Sequence, residues 1–481
     1  MVDQSESEIP TVQPGSALWT RRAVLPLPVI GLAALSLSSW TARSSAATPS
    51  LLEDTIFPDA GGVRAATKIS SAVIYVQGND GGWFYRDPSD TTAQEDGGTY
   101  CGTIIRPLDH ATNGIFKRNF SGPLSVHWYG ARGDNSTDDS LAIQNAVAAA
   151  GIGGAVTFQA RSYCIGSTIT LLPGTHLIGE GWSYPPQGSV APSGGTILNY
   201  TGRIDAPLLR SFGGNNSDNH PHVQIEQISL YNKSGAGTKI GTAIQLINSR
   251  MAAIKDVYIA SFNIGIEQGS NSWQSRLEGV VILDAARCLF AHDAGEDSIA
   301  TGCSFRPYRL NGICAHLKNQ VNSYQFNNCD MSNAQWGVLL EQGDTSGNGT
   351  GTPYSMNVIM INPQFEEIVN AAVAAVASNQ NASAGQHPSI IINGGRAYVG
   401  STFAKANSGQ CVVFAQHASY VDVRGLQHQG GYSIGLSLGE TRYGYTFSGS
   451  IPFHAKWLAP ASKAFGSGEV FGKAESLILH E

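Results

Sequence analysis

The sequence is short of charge. Of its 481 residues only 14% are Asp, Glu, Lys or Arg, and 29 basic against 36 acidic residues leave a net charge of −7. No Lys/Arg stripe accompanies the aromatics, so the electrostatic footprint of a nucleic-acid partner is missing. With 42% hydrophobic residues the chain is neither disordered nor coiled-coil, and it is long enough to bury a large core. Cys-x-x-Cys spacing is also absent. The seven cysteines (Cys101, Cys164, Cys288, Cys303, Cys314, Cys329 and Cys411) are odd in number and lack metal-ligand spacing, so no zinc site, and no metal or cofactor of any kind, is expected. Nor is there an unbroken run of about 20 apolar residues such as spans a bilayer.

The one extended apolar stretch, Ala23 to Leu35, is interrupted by Pro26 and Pro28 and follows Trp19-Thr20-Arg21-Arg22. Small residues at Ser45-Ala46-Ala47 suit a signal peptidase, so residues 1–47 read as a signal peptide. The paired arginines resemble the twin-arginine export signal, with Val24 and Pro26 where that motif usually has Phe and Lys. A secreted or periplasmic protein is implied, exported by the Tat or the Sec route, with no stable membrane insertion after the signal is removed. Export in the folded state is compatible with buried thiols, which are favoured here over disulfides.

What the chain has in abundance is glycine, 56 residues, together with much Asn, Ser and Thr. That composition suggests short strands joined by many tight turns, an all-β protein. Residues 48–124 alternate aromatics with Gly/Asp turns, as in Gly81-Gly82-Trp83-Phe84-Tyr85-Arg86-Asp87, and read as a lead-in of β hairpins. Next comes Trp128-Tyr129-Gly130-Ala131-Arg132-Gly133-Asp134-Asn135-Ser136-Thr137-Asp138-Asp139-Ser140-Leu141-Ala142-Ile143-Gln144-Asn145-Ala146-Val147. Its polar loop offers an N-cap at Thr137 or Asp138 for a short helix with Leu141, Ala142, Ala146 and Val147 on its apolar side, closed by Gly151. Short strands follow at Ala155–Phe158, Tyr163–Ile165 and Ile169–Leu171, then Gly174–Gly181.

This order strongly resembles the opening of the pectate lyase superfamily, in particular its tailspike-type branch, with relations to the polygalacturonase-type glycoside hydrolases. Asn135 replaces the usual Gly, and Gln159-Ala160 the usual Pro-Ala. The resemblance implies a right-handed, single-stranded parallel β-helix with a short N-terminal capping helix, spanning residues 125–456, and a C-terminal cap or tail over 457–481. It also implies action on a polysaccharide, and tailspike relatives make a homotrimer possible. Internal periodicity supports the solenoid separately. An inward-facing pattern recurs as Ile225-x-x-Ile228-x-Leu230, Ile254-x-x-Val257-x-Ile259, Leu277-x-x-Val280-x-Ile282, Cys303-x-Phe305, Phe326-x-x-Cys329-x-Met331, Met360-x-x-Pro363-x-Phe365 and Ile392-x-x-Gly395-x-Ala397. The equal intervals from Cys288 to Cys314 and from Cys303 to Cys329 predict cysteine stacked on cysteine.

Gly-His-Gly is absent and the only Asp-Asp is the capping pair Asp138-Asp139, so homogalacturonan hydrolysis of the polygalacturonase type is not supported. No carboxylate cluster on aligned coils marks a calcium-dependent lyase. Strand alternation puts Ser304/Arg306, Asp330/Ser332, Gln364/Glu366 and Arg396/Tyr398 on the outside of successive coils. Asp330 and Glu366 become diagonal neighbours, roughly 7–8 Å apart at the backbone, compatible with the roughly 5–9.5 Å carboxyl separations of glycosidases. They are the expected catalytic pair. Arg306 and Arg396 would bind hydroxyls or acidic groups, and Tyr398 and Trp336 would stack on sugar rings. Surface carboxylates merely paired with those arginines are the plainer alternative. A polysaccharide lyase using Tyr398 or a histidine such as His316 as base, or a non-catalytic carbohydrate-binding solenoid, are the rival functions.

Overall fold

The computed structural model describes residues 55–481 except 203–205, 213–221, 236–240, 294, 308–311, 320, 343–355, 378–387, 400–410, 419, 431–433, 442–444, 449–451, 458–468, 474–476 and 480–481. The expected signal peptide, residues 1–47, therefore lies outside the described residues.

Short strands rich in Ile, Val, Leu and Phe recur along the chain, each too small to bury its apolar side alone. They solve this by stacking. From Ala155 to Ser448 every third strand joins the same sheet, giving with the strands before and after 11-, 12- and 13-stranded sheets among the described residues. Within these sheets all pairings up to Trp457 are parallel, as in Ile225 beside Ile254 and Ile254 beside Leu277. This is a right-handed parallel β-helix. After Trp457, Glu469–Lys473 and Leu477–Leu479 pair antiparallel with Pro452–Trp457 and Tyr445–Ser448.

The repeated inward positions form one continuous core: Ile225, Ile228, Leu230, Ile254, Val257, Ile259, Leu277, Val280, Ile282, Phe305, Phe326, Met331 and Phe365 are each at most 1% exposed. Cys303 stacks beneath Cys329 and Cys288 beneath Cys314, following the pairings Ser304–Asp330 and Leu289–Ala315. Cys101, Cys164, Cys288, Cys303, Cys314 and Cys329 are buried thiols, behaving as small hydrophobes. Corners between the 13- and 11-stranded sheets turn on a left-handed residue at Gln227, Asp256, Gly279, Gly302, Asn328 and Asn362, which carries the chain from one sheet to the next within two residues.

The lead-in is a five-stranded sheet with its own core of Ile74, Val76, Phe84 and Phe116. It also carries two short helices, Ala60–Ala65 and His110–Asn113, that the hairpin reading lacked. The capping helix is Ser140–Ala150, ending at left-handed Gly151. Its N-cap is Asp139, one residue beyond Asp138, the nearer of the two expected positions. Ile143, Ala146 and Val147 form the buried side of the helix, whereas Leu141, expected on that side, is 72% exposed. No helix among the described residues is long and apolar enough to cross a membrane.

Candidate active site on the outer face

The acidic loop that opens the solenoid is spent on its own backbone. Asp134 accepts bonds from the amides and hydroxyls of Ser136 and Thr137. Asp138 accepts from the Ser140 amide and, across the first coil, from the Gly166 amide. Asp139 is 1% exposed and takes the Arg132 and Gly133 amides at 2.7 and 3.1 Å. These carboxylates shape a turn, and chemistry has to be sought elsewhere.

The 11-stranded sheet offers it. Its strands Ser304–Arg306, Asp330–Ser332, Gln364–Glu366 and Arg396–Val399 each turn a central residue (Phe305, Met331, Phe365, Ala397) into the core. The residues on either side must then face out. Register pairs Ser304 with Asp330, Asp330 with Gln364, Ser332 with Glu366, Gln364 with Arg396 and Glu366 with Tyr398. At about 4.8 Å per rung, the strip from Arg306 to Tyr398 is about 14 Å long.

Asp330 is the hub. One carboxylate oxygen accepts from Arg306 Nε at 2.9 Å, from Arg306 Nη2 and from the Ser304 hydroxyl at 3.2 Å; the other accepts from the Ser332 hydroxyl. Burial works against the Arg306 charge, but its bonds to Asp330, with added attraction from Tyr184 and Glu366, raise its pKa above the ordinary value. Glu366 lies diagonally across the next rung and makes no ion pair among the described residues. The Arg396 guanidinium rests over the Tyr398 ring, 5.2 Å from its centroid. Trp336 stands apart from this strip. It starts a strand of the 12-stranded sheet, between Ile313 and Ala371, and packs with Leu339, Ala374 and Phe414.

Sequence reading missed a polar ladder on that neighbouring sheet. Arg210 donates to Gln245 at 2.9 Å and Gln245 to Glu267 at 3.0 Å; His292 bridges Glu267 (3.2 Å) and Asp293 (2.8 Å), and Asn319 donates to Asp293. The Glu267 bond, opposed by burial and aided by Asp293, raises the His292 pKa. His316 donates from Nε2 to Glu341 at 2.8 Å. Burial, reinforced by the Arg287 charge, pushes its pKa down to about 4. At 3% exposure His316 is closed to a polymer, and the rest of the ladder is bonded to itself. Among the described residues no group of three or more His, Cys, Asp or Glu could hold a metal ion.

Residues 124–202, the opening coils with the acidic loop, match the family described as "Rhamnogalacturonase A/epimerase, pectate lyase-like". Among solved structures the chain is similar to the enzymatically active domain of bacteriophage CBA120 tailspike protein 2, with 13% identity and TM-score 0.54 over 78% of this chain and 53% of that one. It is likewise similar to the tailspike protein of Acinetobacter baumannii phage AM24, with 14% identity and TM-score 0.51 over 85% of this chain and 66% of that one. The chain thus spans between about half and two thirds of the length of the tailspike structures it matches. A search of curated proteins finds no relative. The opening coils thus carry a pectate lyase-like segment over residues 124–202, and the matched structures share the parallel β-helix fold of this chain.

Proposed function

We propose that this chain is an exported polysaccharide-degrading enzyme, a glycoside hydrolase whose site is the outer face of the 11-stranded sheet. The observation that carries the reading is the register that sets Asp330 opposite Gln364 and Ser332 opposite Glu366, putting two carboxylates one diagonal apart on an open face. Glu366, which makes no ion pair among the described residues, is the acid that protonates the leaving oxygen. Asp330, oriented by Arg306, Ser304 and Ser332, is the carboxylate that attacks the anomeric carbon or activates water. Arg396 and Tyr398 hold the sugar one rung beyond. The family description names a rhamnogalacturonase, and the matched CBA120 domain is described as enzymatically active, which supports carbohydrate chemistry on this fold.

The test is a screen of the mature chain against acidic and neutral bacterial and plant polysaccharides, reading new reducing ends and the ultraviolet absorbance of unsaturated uronates. New ends without absorbance, reduced about a hundredfold or more in Glu366→Gln and in Asp330→Asn, are expected. Absorbance would make the protein a lyase. Retention of a polysaccharide without cleavage would make it a binding solenoid.

A further inference from the structure

The corners that lead from the 13-stranded to the 11-stranded sheet are minimal. Gln227–Ile228, Asp256–Val257, Gly279–Val280, Gly302–Cys303, Asn328–Cys329 and Asn362–Pro363 each cross in two residues. Phe158–Arg161 takes four residues, and the next corner along the chain is far longer. Between His176–Ile178 and Ile197–Tyr200 the chain makes an excursion over residues 179–196. A long connection in a solenoid of short ones is the usual place for function to be added.

The excursion is built firmly. Its ends bridge at Trp182 and Gly195, Thr196 donates to the Gly181 carbonyl at 2.8 Å, and the Ser183 and Ser193 hydroxyls meet at 3.2 Å. Its apolar side covers the outward residues of the earlier coils: Trp182 and Val190 pack with Tyr231, Tyr258, Ala260, Val281 and Leu283. The Trp182 ring stacks on Tyr258 at 5.5 Å and 25°, and the Tyr258 hydroxyl donates to the Val190 carbonyl at 2.6 Å. Tyr258 is fully buried as a result. Tyr184 is different: it belongs to the same aromatic group, 6.3 Å from Trp182 and 6.5 Å from Tyr258, but is 54% exposed. Register runs from Tyr258 through Val281 to Ser304 and Asp330. The cover reaches Val281 and Leu283 and so stops one rung, about 5 Å, below Ser304 and Arg306, where the polar strip starts.

We propose that residues 179–196 form a carbohydrate subsite at the end of the strip, in which the exposed face of Tyr184 takes the apolar face of a pyranose ring while Arg306 meets that sugar's hydroxyl or acidic groups. The inference rests on the reading of the 11-stranded face as a polysaccharide site. A tyrosine held by its neighbours loses little freedom on binding and presents a flat apolar area beside polar partners, the combination that suits a ring with hydroxyls on its rim.

The experiment uses an array of neutral and uronate-bearing oligosaccharides, probed with the Glu366→Gln chain alone and with Tyr184→Ala or Tyr184→Phe added. Tyr184 is exposed, and far-ultraviolet circular dichroism verifies that each variant folds. Retention of at least one glycan by Glu366→Gln, about fivefold or more weaker with Tyr184→Ala and within about twofold with Tyr184→Phe, is expected. The subsite is overturned if no glycan is retained, if the alanine variant binds as its parent does, or if phenylalanine loses as much as alanine. Binding without cleavage by the unmodified chain would sink the hydrolase reading and leave the subsite standing.

Discussion

His316 sits on the outer side of the strand Ile313–Lys318 and is nevertheless only 3% exposed, with Phe290 on one side at 5.1 Å and Leu339 paired on the other. Its pKa of about 4, against an ordinary 6.5, means that the folded protein resists protonating it while the unfolded chain does not. Its contribution to stability is therefore complete above pH 6.5 and is lost as the pH falls from there toward 4. His292, raised by Glu267 and Asp293, acts in the opposite sense: its contribution is complete below 6.5 and lost as the pH rises through its folded pKa. In urea titrations at pH 7 and pH 5, the unmodified protein should lose about 1–2 kcal/mol more stability on acidification than His316→Phe. Equal losses would refute a neutral His316. A sequence reader sees two histidines and has no means of telling them apart, because the difference lies in which coil closes over each.

At the scale of the element, the corner residues were only partly legible. Glycines 279 and 302 announce turns, but Gln227 at φ 58° and Asp256 at φ 49° occupy the same left-handed station without a signature of their own. Gln227 is exposed, so its backbone geometry can be tested apart from packing. Gln227→Val should lower stability by about 1–2 kcal/mol, since a β-branched side chain crowds the backbone there, whereas Gln227→Gly should leave it level or slightly raised. Thermal unfolding checks both, and a harmless valine would contradict the corner geometry. Strands were easier. The spacing of Ile225, Ile228 and Leu230, recurring in whole or part on six later coils, follows from a core that admits apolar or small residues at fixed steps and little else. The helix starts one residue later than expected, with Asp139 at the N-cap position; its carboxylate folds back on the Arg132 and Gly133 amides, while Asp138 accepts from the Ser140 amide.

For the whole molecule, the proposal of an exported chain extends to its assembly. Residues 1–47 would direct it across a membrane through Arg21 and Arg22, and the mature protein would form the homotrimer that the tailspike resemblance suggests. Culture fractionation of the wild type and of a double Arg→Lys variant, followed by sedimentation of the mature chain, checks both. The signal reading requires the wild type outside the cytoplasm and the variant retained; a mass of one chain would remove the trimer.

By itself the sequence determined the solenoid, its inward residues, the stacking of Cys303 under Cys329 and the outward register of Asp330 and Glu366, because strand alternation and repeat length are local, periodic quantities. Only the tertiary structure decided that Arg306 would claim Asp330, that Trp336 would belong to another sheet, and that residues 179–196 would fold over three coils and leave Tyr184 exposed. Those outcomes depend on which non-repeating segments meet across the surface, and contacts of that kind leave no period in the chain to read.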